Sequence, residues 1–307
     1  MRYTRVGALA VIAGLALGGT VRAQTVGIGV SGAAAAGGLG DPGNSVSTGT
    51  FAESFMARSL TWSGVLTSVP NAFFFEEDVF ASIEGPNGLG YTGPIAGGQG
   101  IVLGSTPFSG WSSGFTPASV NGDWRFEAYT ENTFPGSTDW TVDSASFNFN
   151  AALFPAAASV SIGTSLAAGI TEGQILWYTI DHLGGAVEFS TAGSSISELD
   201  GAIQTDDTLI ALFDSSGVLV ASNDDAPGAG DFTSLLSFSS LASGEYHLAV
   251  TGSTLGTRVG STFIATSHDG VGSVELQVAV PAPGAAVILL AAGPLASRSR
   301  RRSNLPA

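Results

Sequence analysis

Six oxygen-bearing side chains at the ends of strand-like runs are the strongest chemical signal in this 307-residue sequence. Asp206, Asp207, Asn223, Asp224, Asp225 and Asp231 flank a hairpin that would bring them to one edge. Calcium takes about six to eight hard oxygens from carboxylates, amide carbonyls and backbone, at flexible geometry. Leaving that many carboxylates together unneutralised is costly, and the chain has no lysine to pair with them. The same residue types also make a solvated acidic loop, in which asparagine and aspartate cap turns. Calcium is the one cofactor expected.

Three further patterns match catalytic or cofactor motifs in letter. Gly110-Trp111-Ser112-Ser113-Gly114 has the G-x-S-x-G spacing of a nucleophile elbow, which needs a buried strand before the serine and a helix after it. Pro107, Pro117 and a Ser/Gly neighbourhood predict a loop there instead. The histidines that could complete such a site, His182, His247 and His268, all lie in the second half, and strand alternation places His247 on an outward, solvent-facing side. Gly27 to Gly32 matches G-x-G-x-x-G, but Gly37, Gly38 and Gly40 spoil the helix a dinucleotide site requires. Glu76-Glu77-Asp78 reads as a solvated turn.

The elements that must position these residues are strands. Glycine contributes 43 residues, only 11% of the chain is charged, and no segment keeps an apolar 3.6-residue period over three turns. The sequence therefore predicts an all-β protein of two sandwiches in tandem, residues 24–150 and 151–279. Strand-like runs in the first are Phe51 to Leu60, Thr61 to Val69, Val79 to Ile83, Trp124 to Tyr129 and Ser144 to Phe149. Gln24 to Gly43 shows little periodicity. In the second, Ile175 to Ile180 and Leu209 to Phe213 are apolar on both faces. Asp214 to Gly217 makes a tight turn, Val218 to Ala221 returns, and Tyr246, Leu248 and Val250 face inward. Val274, Leu276 and Val278 do the same on the closing strand.

Charge and cysteine content exclude several function classes. Between the termini three arginines stand against 25 acidic residues, a net -22, which repels nucleic acid and anionic lipid. With no cysteine there are no disulfides, thiolate metal sites or thiol nucleophiles.

The two ends read as addresses. Arg2 and Arg5, an apolar run from Val6 to Gly19, and Val21-Arg22-Ala23 before Gln24 make a secretory signal over residues 1–23, with cleavage between Ala23 and Gln24. At the other end Pro281-Ala282-Pro283 precedes about a dozen apolar residues and then Arg298, Arg300, Arg301 and Arg302. The basic cluster would hold that end on the cytoplasmic side during export. Residues 280–302 in this order resemble the PEP-CTERM sorting signal in a Pro-Ala-Pro variant, with 303–307 as a tail. The resemblance implies an exosortase-type processing enzyme as partner, cleavage near Pro281 to Pro283, and a short apolar helix matching the signal helix at the start. A plain C-terminal anchor also leaves the body outside the cell.

Two internal resemblances add to this. The segment from Asp206 to Asp225, with Ser243-Gly244-Glu245-Tyr246-His247-Leu248-Ala249-Val250, resembles the bacterial pre-peptidase C-terminal domain over about Gln174 to Val278. It implies a jelly-roll-like accessory sandwich, some relatives of which bind calcium or extracellular polymers. Asp78 to Gly88, Gly122 to Ala128 and Asp139-Trp140 are similar to the strands of proprotein-convertase P domains, implying a second jelly roll. The expected function is that of a non-catalytic exported protein of the cell surface or extracellular matrix, with polysaccharide or envelope components as partners. The alternatives are a secreted serine hydrolase using Ser112 and a carbohydrate-binding surface protein presenting aromatics such as Trp111 and Trp140.

Overall fold

The computed structural model describes residues 24–281, apart from 54, 69–78, 87–89, 98–103, 131–139, 198–206, 228–231, 253–256 and 269. The described residues form strands, turns and coil, with no helix long and apolar enough to cross a membrane among them. The first half holds β1 (Thr25–Ala35), β2 (Val46–Phe51), β3 (Met56–Ala57), β4 (Ser59–Ser68), β5 (Val79–Glu84), β6 (Gly90–Pro94), β7 (Ser105–Ser112), β8 (Ala118–Ser119), β9 (Gly122–Thr130) and β10 (Trp140–Asn150). The second begins with β11 (Ala158–Ser159), β12 (Thr164–Ile170), β13 (Leu176–His182), β14 (Gly185–Ser190), β15 (Ser195–Ser197) and β16 (Leu209–Asp214). It ends with β17 (Leu219–Asn223), β18 (Leu235–Leu241), β19 (Gly244–Thr251), β20 (Thr257–Gly260), β21 (Phe263–Thr266) and β22 (Val271–Ala279).

The same connectivity occurs twice. In the first half β1 pairs with β10, β2 with β9, β4 with β7 and β5 with β6, the nesting of a long hairpin folded over on itself. In the second, β12 pairs with β22, β13 with β19, β14 with β18 and β16 with β17. Each nest closes two sheets over one core, as a sheet with one apolar face must. Core-facing Trp62, Phe147, Phe149, Trp124 and Phe126 fill the first. Tyr178, Ile180, Leu212, Leu248 and Leu276 fill the second.

The boundary at 150 does not hold for every strand. The hairpin β20–β21 lies between the last two strands of the second nest, yet β21 pairs with β7. The six-stranded sheet therefore runs β1-β10-β4-β7-β21-β20 and includes residues from both halves. Ala265 enters the first core, while its neighbour Ile264 points to the other side.

A third apolar cluster lies between the two sandwiches. Trp111 and Ile264 from the outer face of the six-stranded sheet meet Leu209, Ala211, Phe213 and Ala249 from the outer face of the five-stranded sheet β11-β13-β19-β16-β17. This is why Leu209 to Phe213 is apolar at every position: even-numbered residues face the second core and odd-numbered ones face the junction. The expected hairpin is present, with Gly217 at φ +88° and the Asp214 carboxylate accepting the N–H groups of Ser216 and Val218 at 2.9 and 3.1 Å.

Three sequence expectations are corrected here. Gln24 to Gly43 contains β1, an 11-residue strand whose Val26, Ile28 and Val30 are buried opposite β10. Phe51 to Leu60 is not one strand but the end of β2, the short β3 and the start of β4. Gly110 to Ser112 are strand, the end of β7, and only Ser113 and Gly114 of that motif lie in coil.

Candidate functional site

The junction is built from the linker outward. The Trp111 indole N–H donates to the Leu153 carbonyl at 2.8 Å, and the Ser59 hydroxyl donates to that of Ala152 at 2.8 Å. These bonds fix residues 151–154 against the first sandwich. Phe154 then stacks on Trp111 on one side, with ring centroids 4.9 Å apart, and on His247 on the other at 3.6 Å. Trp177 and Phe213 meet the Trp111 ring edge-on at 5.3 and 5.1 Å.

His247 is therefore not the surface residue that alternation suggested. It does point away from the second core, but that face is covered by Phe154, and the residue is 8% exposed. Its Nε2 lies 3.1 Å from Glu245 Oε1 and its Nδ1 3.5 Å from the Thr179 hydroxyl. Burial lowers the imidazole pKa below its ordinary value, and the Glu245 carboxylate only partly offsets this. The folded state thus prefers neutral His247. That contribution is fully present above the unfolded-state pKa of about 6.5 and is lost as pH falls below it toward the lower folded value. Melting temperature should decline from pH 7 to 5, and His247→Phe should flatten that decline. An identical pH profile in the variant would contradict the assignment.

Trp111 and Trp140, expected as exposed aromatics for a glycan ligand, are both 0% exposed. Trp111 belongs to the junction and Trp140 to the first core.

Beside the junction an open groove of about 870 Å³ runs along the outer face of the six-stranded sheet. Its floor comes from alternate residues of β10, β4 and β7, which point away from the core. Ser146, Ser63 and Ser109 stand side by side in register across the three strands. Thr61 and Ser144 extend the row of hydroxyls along the strands. One wall is the turn from Thr171 to Ile175, seated on β7 by a hydrogen bond from the Ser109 hydroxyl to the Gly173 carbonyl at 2.5 Å. Gly173 has φ +63°, and a Cβ there would sit 2.8 Å from the Pro107 carbonyl oxygen. Only glycine lets the turn approach this closely. Half-buried Trp177 completes the wall. Sequence reading missed this groove. Its signal was the serine and threonine spacing of two on Thr61, Ser63, Ser144 and Ser146.

Ser234 brings the described calcium candidates to one edge: its hydroxyl lies 2.5 Å from the Thr208 carbonyl, next to Asp207, and 3.3 Å from the Asp224 carbonyl, between Asn223 and Asp225. Asp207 is 2% exposed, whereas Asp224 and Asp225 are exposed. Asn223 accepts the Leu235 N–H on its amide oxygen at 3.0 Å, tying the end of β17 to the start of β18, and Asp224 Oδ1 accepts the N–H of the next residue, Asp225, at 3.1 Å. Among the described residues no three His, Asp or Glu side chains group as a metal site. Asp206 and Asp231 lie outside the described residues, as does Glu76-Glu77-Asp78.

Ser112 ends β7 at 2% exposure. Its hydroxyl oxygen accepts the Gly114 N–H at 3.1 Å, and the chain continues through a turn into the short β8. The three histidines hydrogen-bond elsewhere: His182 to Gly185, His247 to Glu245 and His268 to Gln174. Gly27 to Gly32 lies within β1, so no strand-to-helix turn exists there. Of the terminal residues, Gln24 is exposed and Pro281 follows β22 in coil. Residues 1–23, which include Ala23, lie outside the described residues, as do Ala282, Pro283, Arg298, Arg300, Arg301 and Arg302.

Fold and junction define an all-β protein of sandwich-like paired sheets. No protein-family model and no curated protein sequence matches the chain. Among solved structures it is similar to the CBM22-1–CBM22-2 tandem domain of Paenibacillus barcinonensis Xyn10C, at 12% identity and TM-score 0.26 over 88% of this chain and 98% of that one. It is also similar to the CUB1-EGF-CUB2 domain of human MASP-1/3, at 8% identity and TM-score 0.20 over 78% and 97%. Likeness at this level leaves function to rest on the residues of the chain itself.

Proposed function

We propose that this chain is a non-catalytic exported protein of the cell surface or extracellular matrix. Its body serves a structural or adhesive role, and an exosortase-type enzyme processes its C-terminal segment. The reading takes residues 24–150 as a P-domain-like jelly roll and 151–279 as a pre-peptidase C-terminal-like one. The nested strand pairing in each half supports both assignments, since two Greek keys in eight strands pair in that order.

The observation that carries the reading is where the reactive side chains stand. Ser112 and all three histidines are buried: Ser112 accepts the Gly114 N–H, His182 and His268 meet the carbonyls of Gly185 and Gln174, and His247 meets Glu245 and Thr179. A nucleophile, a base and an orienting acid must converge on one pocket to do acyl transfer. The groove instead offers a row of hydroxyls on a flat floor, an arrangement suited to contact.

A fluorophosphonate probe tests the non-catalytic part. No labelling of the purified chain is expected. Labelling that disappears in Ser112→Ala would establish the serine-hydrolase alternative instead.

A further inference from the structure

In the groove on the outer face of β10, β4 and β7, Ser109 seats the wall on the floor, and the chemistry of the remaining floor is specific enough to name a ligand class. We propose that it binds a neutral polysaccharide chain, laid across the serine row and against the turn from Thr171 to Ile175. The proposal deepens the reading of the body as a non-catalytic binding module and rests on it.

Three features select this ligand over others. First, β4 is hydrogen-bonded on both sides, to β10 and to β7, so its backbone offers no open edge to a peptide. What the floor presents is side-chain hydroxyl. Ser63 and Ser144 are exposed, Thr61 and Ser146 partly so. A serine or threonine hydroxyl can both donate and accept. Ser109 here donates to Gly173 and Ser146 to Asn148, and strands set the hydroxyls about 4.8 Å apart across the sheet. Sugar hydroxyls have the same dual character.

Second, the charge is wrong for an anionic polymer. Among the described lining residues Glu172 is the single ionisable group, no arginine lines the groove, and the surrounding body is strongly acidic. One carboxylate is also too few for a cation site. Third, the wall supplies apolar surface beside the polar floor. Trp177, Ile175 and Pro155 border the hydroxyl row, and the C–H faces of a sugar ring pack on such surface.

The test uses the purified full chain against an array of neutral and anionic oligosaccharides, with affinities measured by calorimetry for those retained. Neutral glycans should be retained and anionic ones not. Ser63→Trp, which fills the middle of the floor at an exposed position, should lose about tenfold or more of the affinity. Thr48→Trp, on the exposed β2 of the four-stranded sheet, should keep it. Both variants should melt with the wild type. Retention of no neutral glycan, preference for an anionic one, or unchanged affinity in Ser63→Trp would overturn the proposal. Fractionation of cells producing the chain separates the two readings. A surface-exposed chain that binds no glycan removes the groove proposal alone, whereas a cytoplasmic chain removes the exported-protein reading whatever the array shows.

Discussion

Trp111→Ala is expected to destabilise the whole chain by about 3–5 kcal/mol, the usual cost of deleting a large buried aromatic. Trp111 is 0% exposed and touches both halves and the linker: Phe213 and Trp177 across the junction, Phe154 beside it, and the Leu153 carbonyl through its indole N–H. Alanine removes the ring from all of these contacts and leaves the Leu153 carbonyl without its donor. For chains of about 150–250 residues each kcal/mol shifts the melting temperature by about 2–4 °C, so a fall on the order of 10 °C is expected. The loss should appear in one cooperative transition, because the junction joins both cores. Differential scanning calorimetry reads this directly. Two transitions in the variant, with only one displaced, would show that the sandwiches melt independently.

A fragment ending at Asn150 is expected not to fold. It lacks β21, so β7 keeps β4 but loses its second partner over Ser109 to Ser112, and Trp111 loses the junction residues Leu209, Phe213 and Ile264 that pack around it. Exposing an indole returns about 200 Å² of apolar surface to water, worth about 5 kcal/mol at about 25 cal/mol per Å². That is comparable with the whole stability of an ordinary domain, about 5–15 kcal/mol. The complementary fragment fares no better. It exposes Leu209, Ala211, Phe213 and Ala249, and its β20–β21 hairpin has no sheet to join. Near-UV circular dichroism and a urea titration of the 24–150 fragment test this. A cooperative urea transition would show that the first sandwich is self-sufficient.

These two expectations come from the structure, and the reason they were not legible in the sequence is physical. Strands of the second half declared themselves. Tyr246, Leu248 and Val250 alternate cleanly with polar or small neighbours, and Leu209 to Phe213 is apolar throughout. Their large side chains carry the burial signal. In β1 the buried positions include the small Ala33 and Ala35, which stand opposite Val142 and Trp140 on β10, so the bulk on that side comes from the partner strand. In β7, Pro107 and Gly110 look like loop residues. Yet β21 covers only Ser109 to Ser112, so the proline's missing N–H lies beyond the reach of a neighbour on that side. Gly110 is needed because a Cβ there would lie 2.2 Å from the Trp62 ring.

His247 shows a different limit. Alternation gave its direction correctly, away from the second core, but a period of two says nothing about what covers the far face. The candidate groove was hidden for the same reason. Its serines come from β10, β4 and β7, and only the register Ser146–Ser63–Ser109 places them in one row. Of the six clustered acidic and amide residues, Asp206 and Asp231 lie outside the described residues, while Asn223 and Asp224 accept the N–H groups of Leu235 and Asp225.

On the function proposed above, the chain is exported and processed at both ends. The most direct measurement is intact-protein mass spectrometry of the chain recovered from the envelope of a bacterium that carries an exosortase-type enzyme. The expected product is a mature protein that begins at Gln24 and ends between Pro281 and Pro283. An intact chain from Met1 through the Arg298 to Arg302 cluster, recovered from the cytoplasm, would contradict it.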